Sequence, residues 1–415
     1  MAASPKTEKA HEPLSAVSLP LPLWELVAMV ASLMALNALA IDIMLPALGD
    51  IAEHYQLQRE NDQQLVVFIY VMGFGAPQLI FGPISDRFGR RGLLALCLIG
   101  YAAAGLACMV TSSFTSLLAA RFVQGVFASG VRVIAVSVIR DLMAGRAMAR
   151  VMSLVMTVFM VVPILAPTLG AGVMLVAPWP WTFGVLAVAG IAMLIWTQLR
   201  LPETLPREGR QALNPAQTAR SYGEVLTTRV TIGYMAASGV IFGALFAFVA
   251  ASEQIFSDVF GMEASFALWF AGVAACLAAA NFTNSKIVEA IGMRRISHSV
   301  LLAFIALSVL SVVLMQMFGE RLIIFYPLFC LTFACFGMMG ANFSAMALEP
   351  LGKIAGTASA AYGFATSTVA SAFGYLVASQ FNGTVTPIMI GFAGLGTCSL
   401  VLILITERGR LFENR

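Results

Sequence analysis

Charge is scarce in this chain. Only 11% of its 415 residues are Asp, Glu, Lys or Arg, and only three are histidine. Soluble domains carry about a quarter charged residues. Here 60% are hydrophobic and the mean hydropathy is +0.88, more apolar surface than one soluble core can bury. The histidines (His11, His54, His298) are expected in tails or at helix ends, which leaves no buried histidine relay. The six cysteines (Cys97, Cys108, Cys276, Cys330, Cys335, Cys398) all fall in apolar runs, with neither paired spacing nor a Cys/His cluster. They read as small apolar fillers, not as a disulfide framework or metal site. There is no His-Glu-x-x-His and no Gly-x-x-x-x-Gly-Lys-Ser/Thr, so zinc peptidase chemistry and ATP hydrolysis within this chain are excluded. No cofactor and no enzyme activity are implied. A net charge of +3 suggests no nucleic-acid partner.

Long apolar runs take the place of charge. A span needs about 20 apolar residues, and twelve runs qualify: 24–45, 65–84, 92–111, 115–139, 150–175, 181–199, 230–250, 264–288, 297–317, 322–347, 354–380 and 385–406. In hydrocarbon every backbone polar group must be satisfied internally, so runs of this length are helices. The fold class is all-α and polytopic, with twelve transmembrane helices. The polar start of the chain, with Lys6, Glu8, Lys9 and Glu12, shows no small-residue cleavage site after a short apolar core, so the first run reads as a retained helix.

If both termini lie in the cytoplasm, 20 of the 24 Lys and Arg fall on that side. Only Arg59 and Arg321 lie opposite, and Arg121 and Arg132 sit inside spans. This is a strong positive-inside bias, and the lipid bilayer is a partner. The organisation is a tail over 1–23, six helices over 24–200, a cytoplasmic linker over 201–228 carrying Pro202, Pro206 and Pro215, six helices over 229–406, and a tail over 407–415.

Between the second and third runs stands Gly82-Pro83-Ile84-Ser85-Asp86-Arg87-Phe88-Gly89-Arg90-Arg91, in which four of the last six residues are charged. Asp86 can pair with a neighbouring arginine or accept from a helix N-terminus, and the glycines permit a tight turn. Such a cluster can hold one gate state and break in the other. A basic loop that only sets topology would need neither the aspartate nor the glycines. Between the eighth and ninth runs, Lys286 to Arg295 repeats the glycine and closing arginine pair (Gly292, Arg294, Arg295) without the Asp-Arg core, so the halves are weak parallel repeats.

The Gly82–Arg91 turn resembles the signature of the major facilitator superfamily of transporters. Arg121-Phe122-Val123-Gln124-Gly125 resembles the Arg-x-x-Gln-Gly motif of proton-coupled facilitators. Pro163, Pro167, Gly170 and Gly172 resemble the fifth-span antiporter motif, although Ala166-Pro167 stands where Gly-Pro is common. Asp42 with Leu45-Pro46-Ala47-Leu48, and Arg140-Asp141 after the fourth run, are similar to the Bcr/CflA-type (bicyclomycin/chloramphenicol resistance) branch of twelve-span drug:proton antiporters. The resemblance implies alternating-access export of small amphiphiles in exchange for protons, in a bacterial inner membrane, by a monomer.

An uncompensated charge inside the bilayer is costly and is a functional site by default. Three such residues occur: Asp42, Arg121 and Arg132. At about 1.5 Å per residue, Asp42 lies roughly 27 Å beyond Trp24 on an outward-running helix. Arg121 lies about 9 Å beyond Thr115 on an inward-running one. They share a depth, so an Asp42–Arg121 pair is expected. A carboxylate whose surroundings alternate between two states can take up a proton on one side and release it on the other; the other readings are a static ion pair and a lipid-interface residue. Arg132 follows Arg121 by three turns with no acid at its depth. It either lines a cavity that favours neutral or anionic substrates, or packs against backbone carbonyls.

The expected cavity adds Asn37, Gln124, Phe242, Phe246, Asn281, Asn284, Asn342, Tyr362 and Thr366, an apolar pocket with a few polar groups. The Met-rich stretches Met152, Met156, Met160 and Met338, Met339, Met346 read as filler. A dedicated metabolite or siderophore exporter fits the same residues. A non-transporting sensor or assembly protein would have no use for both the gate turn and Asp42.

Overall fold

Helices form wherever the apolar runs stand, because each satisfies its own backbone. The computed structural model describes residues 21–413 apart from 60, 144, 160 and 211–213. The N-terminal tail through residue 20, Met160, Glu60 and Arg415 lie outside the described residues, as do the side chains of Arg146 and Lys353. Among those described there is no strand. The long helices are α1 (Leu23–Asp42), α3 (Leu65–Gly75), α4 (Gln78–Phe88), α5 (Arg90–Met109), α6 (Phe114–Leu142), α7 (Gly145–Phe159), α8 (Val162–Met174) and α9 (Pro180–Arg200) in the first half. The second half has α11 (Arg229–Gln254), α12 (Phe266–Ile291), α13 (Met293–Phe318), α14 (Leu322–Leu348), α15 (Ala355–Phe364), α16 (Ala370–Ala378) and α17 (Thr386–Thr406). The short α2 (Leu48–His54) follows the first span, and α10 (Pro215–Thr227) lies between the halves.

Among the described residues, ten helices are long and apolar enough to cross a membrane, and α3 with α4 forms one further span bent by 44°. The bend falls at Ala76-Pro77, where proline supplies no N–H to the ladder. The remaining expected span, the eleventh (354–380), is one helical run over 355–378, joined by a π-turn at Ala365–Val369. Thr357, Ser359, Thr366, Ser367, Thr368 and Ser371 make it less apolar. It is packed between α3, α4 and α11, away from lipid on those faces.

The fifth span, Arg150–Met174, takes in parts of α7 and α8 on either side of Met160. Helix α7 ends at Phe159 and α8 begins at Val162, with Pro163 at its first turn and Pro167 inside it. A proline is accommodated early in a helix, where its missing N–H would have had no partner. The expected linker 201–228 contains a helix over its second part, despite its prolines. Asn214 caps α10 by accepting from the Gln217 N–H at 3.1 Å, and the Tyr222 hydroxyl donates to the Leu79 carbonyl at 2.8 Å. Burial pushes the Tyr222 phenol up to about 12.

In the first half α6 packs on α3 and α5, and α5 on α9. In the second, α11 packs on α16 and α17, α14 on α12 and α13. Across the seam α8 meets α12, α4 meets α15, and α3 meets the π-turn and α16. At the end remote from Arg90, polar side chains tie the halves together. The Asn61 amide donates to the Phe381 carbonyl at 2.8 Å and the Ser379 carbonyl at 3.1 Å. The Gln64 amide donates to Gln254 Oε1 at 2.7 Å.

Candidate functional site

Arg90 is the centre of the charged turn. It is 2% exposed, with Asp86 at 2.7 Å and Asp141 at 2.8 Å, so one guanidinium joins the ends of the second, third and fourth spans. The Ser85 hydroxyl accepts from Arg90 Nη1, and the Thr204 hydroxyl donates to Asp141. Gly89 has φ +93° and ψ 167°, a region glycine alone occupies readily, and a Cβ there would meet Glu203 and Arg210. Glu203 accepts from the Arg90 N–H at 2.8 Å and the Arg91 N–H at 3.3 Å, capping α5. Arg91 also donates to the Gln198 carbonyl. Arg87 is exposed and Gly82 borders open space, so these two take no part in the cluster. Arg140 lies 3.9 Å from Asp86 and reaches Gly356 at the start of α15, the cluster's approach to the other half.

The three charges within spans have separate surroundings. Arg121 is fully buried and forms no ion pair with any described residue. Nη1 donates to Gln124 Oε1 at 2.7 Å, Nη2 to the Ala40 carbonyl at 2.9 Å and Nε to the Val66 carbonyl at 3.2 Å. The Tyr70 ring lies 4.3 Å from its Cζ. The Tyr70 hydroxyl in turn donates to Asn37 Oδ1 at 3.0 Å. Asp42, 5% exposed at the end of α1, has no hydrogen bond or salt bridge to any described residue. The expected Asp42–Arg121 pair is not formed: Arg121 turns one donor of each of its three nitrogens to a neutral acceptor, on three different helices. Close by, Gly170 packs against the Ile43 carbonyl so tightly that any Cβ would strike it, whereas Gly172 borders open space.

Arg132 is half-buried. Nη1 donates to Gln78 Oε1 at 3.5 Å, and its Cζ lies 5.6 Å from the Phe74 ring. Gln78 reaches across the seam to the Gly363 carbonyl at 3.5 Å and the Ser367 hydroxyl at 3.4 Å.

Several expected cavity residues are otherwise engaged. Gln124 is fully buried against Arg121. Asn284 and Asn342, each 3% exposed, exchange two hydrogen bonds of 3.0 Å between α12 and α14. Amides in apolar surroundings pair because an unmatched one is costly. Tyr362 donates to the Ser238 hydroxyl at 3.0 Å, and Thr366 to the Tyr362 carbonyl at 2.9 Å. Phe242 meets the Phe336 ring edge-to-face. Asn37, Asn281, Phe242, Phe246, Tyr362 and Thr366 stay half-buried.

His298 overturns an expectation: it is fully buried. Its Nδ1 accepts from the Phe412 N–H at 3.1 Å and its Nε2 lies 3.1 Å from the Tyr234 hydroxyl. Tyr234 donates to Glu407 at 2.8 Å, and Arg294 pairs with Glu407 at 2.9 Å. Sequence reading also missed the buried Glu25, which Arg200 grips through two bonds of 2.8 and 2.7 Å, although a lone acid opening an apolar run was a visible signal.

This is the architecture of a membrane carrier: two helix sets with a charged turn at one end and isolated charges at the seam. The sequence profile described as Major Facilitator Superfamily matches residues 30–375, and the chain belongs to that family of transporters. It is 31% identical over 340 residues to an uncharacterized MFS-type transporter, YdgK, of Bacillus subtilis, covering 79% of this chain and 82% of that one. It is 29% identical over 370 residues to a bicyclomycin resistance protein homolog of Haemophilus influenzae, covering 88% and 90%. The xylose transporter XylE of E. coli, in a partially occluded inward open conformation, superposes with a TM-score of 0.71 at 13% identity, over 92% of this chain and 99% of that one. That likeness speaks for the fold alone.

Proposed function

We propose that this protein exports small amphiphilic compounds, neutral or anionic ones preferred, in exchange for protons by alternating access. The observation that carries the reading is Asp42, buried at the end of α1 with no partner among the described residues. A carboxyl without a fixed counter-cation, at a place whose wetting differs between two states, can take up a proton in one and release it in the other. The neighbouring Arg121 is a positioning residue: its bonds to Ala40, Val66 and Gln124 tie α1, α3 and α6 around the acid. The bicyclomycin-resistance name of the Haemophilus relative supports export of antibiotic-like compounds. Substrate would occupy the seam, among Asn37, Arg132, Phe242, Phe246, Asn281, Tyr362 and Thr366. Asn284 and Asn342 contribute there only if their mutual pair opens.

The rest of the reading follows from charge and symmetry. The six-helix units are 24–200 and 229–406, the Arg90 end faces the cytoplasm with both termini, and a monomer works in a bacterial inner membrane. Asp86, Gly89, Arg90 and Arg91 form the cytoplasmic gate cluster, and Pro163, Pro167 and Gly170 shape the fifth span against α1.

Proton release from the reconstituted protein, on adding a panel of neutral, anionic and cationic compounds, tests this. Release by several neutral or anionic compounds, lost in Asp42→Asn, is the expected result. A response to one compound alone points to a dedicated exporter, and an unchanged Asp42→Asn would remove the role assigned to Asp42.

A further inference from the structure

Two arginines lie inside the spans with no ion pair to any described residue, and they differ in how well neutral groups serve them. Arg121 is fully buried, with three hydrogen bonds of 2.7 to 3.2 Å. Arg132 keeps part of its surface exposed and, among the described residues, has one bond of 3.5 Å, to the neutral oxygen of Gln78. That distance is at the limit of hydrogen bonding. A guanidinium so placed remains short of charge compensation.

Gln78 is itself overextended. Its amide nitrogen serves the Phe74 carbonyl at 3.3 Å, the Ser367 hydroxyl at 3.4 Å and the Gly363 carbonyl at 3.5 Å, while its oxygen serves Arg132. One 3% exposed carboxamide thus stretches between an arginine of the first half and a helix of the second. Gly363 leaves it room, for a Cβ there would run into the Gln78 carboxamide. The Phe74 ring beside Arg132 stacks on Tyr70 at 6.5 Å, and both rings are buried.

We propose that Arg132 and Gln78 form a carboxylate subsite, in which the acid group of an amphiphilic substrate displaces the Gln78 oxygen from Arg132. A carboxylate offers Arg132 two charge-assisted bonds in place of one long neutral one. The released Gln78 changes its hold on Gly363 and Ser367, so occupancy is felt directly at the 355–378 helix. This deepens the proposed export reading and rests on the seam being the substrate site.

Calorimetry on the full-length protein in detergent tests it, with 4-phenylbutyrate as the acid probe and its uncharged amide, 4-phenylbutyramide, as control. Wild type should bind the acid about tenfold more tightly than the amide. Arg132→Gln and Gln78→Glu should both erase that preference, the latter by placing a carboxylate of the protein on Arg132, with amide binding retained. Gln78→Ala and Gly363→Ala, which remove or displace the competing oxygen, should tighten acid binding about threefold. Equal affinity for the two probes in wild type, binding of neither, or a preference surviving Gln78→Glu overturns the subsite. So does Gln78→Ala weakening both probes equally, the mark of a purely structural glutamine. Proton release by neutral compounds through Asp42 alongside any of these results leaves export standing while the subsite falls.

Discussion

The two halves turn the same corner with the same glycine geometry and brace it differently. Gly89 and Gly292 share φ +93° between a pair of long helices. After Gly89 the bracing arginine finds Asp86 within the turn and Asp141 at the end of α6, and Arg140 extends the cluster to α15 in the other half. After Gly292, Arg294 finds Glu407 beyond α17, with Tyr234 and His298 completing the network inside one half. The missing Asp-Arg core of the second copy is thus not a missing brace. Its acid comes from the far end of the chain. The first turn reaches the other half through Arg140, whereas the second is braced within its own half.

The division can be broken by substitution. Arg90→Gln leaves Asp141 without its cation. Removing one partner of a buried pair costs about 3–5 kcal/mol, and a value near ~3 kcal/mol is expected because Asp86 is partly solvated. Thermal unfolding should show that loss, and proton exchange should fail even at temperatures where the protein stays folded. Glu407→Gln should cost about 2 kcal/mol and leave the direction of exchange unaltered; a folded but inactive Glu407→Gln would refute the assignment of that network to stability alone.

Glu407 also sets a pH dependence. Burial pulls its pKa up, but hydrogen bonds from Arg294 and Tyr234, with the Arg294 charge, outweigh that and hold it below the ordinary value. A depressed carboxylate stabilises fully above its unfolded value, near ~4.3, and the contribution fades as pH falls through the lowered native value. Melting temperatures of wild type and Glu407→Gln should therefore differ near neutral pH and converge in acid. A constant gap would locate the effect elsewhere.

Smaller effects sharpen the comparison. Alanine at either turn glycine enters a strained region costing about 1–3 kcal/mol. Gly89→Ala should be worse than Gly292→Ala by about 1 kcal/mol, because its Cβ also pushes Glu203 off the start of α5. Least of all, Gly82→Ala should be neutral or stabilise by ~0.5 kcal/mol, since it stands in a helix beside open space. Chemical denaturation in detergent would rank the three.

The spans and the first turn were legible because hydropathy and glycine act locally. Asp42 and Arg121 were legible as costly charges at a shared depth, but not their separation, which depends on the Ala40 and Val66 carbonyls facing Arg121. The Arg121–Gln124 bond lies one helical turn apart and could have been read from spacing alone. Asn284 and Asn342 are 58 residues apart, and nothing in either neighbourhood announces the other. His298 sat near a helix start, where exposure was the natural expectation; Tyr234 and Phe412 cover it from distant parts of the chain. Gln78 follows a proline in an apolar run with nothing nearby in sequence to mark it, and only the approach of Gly363 shows what it spans.

The π-turn at Ala365–Val369 has a consequence for insertions and deletions. Such a turn holds one residue more than an α-helical one, and each α-helical residue advances the helix by about 100°. Deleting a single residue there would let the run wind as ordinary α-helix with the parts on either side nearly in phase, because the turn takes up its extra residue without extra rotation. The same deletion in the α-helical part before it would rotate everything after by that angle, and Ser371, bonded to the Phe68 carbonyl, and Gly374, fitted against Gly243 and Phe68, would then face the wrong neighbours. The spare residue is slack between the Gly363 face and the Ser371 face, and a one-residue deletion should be tolerated within the π-turn far better than in Ala355–Phe364.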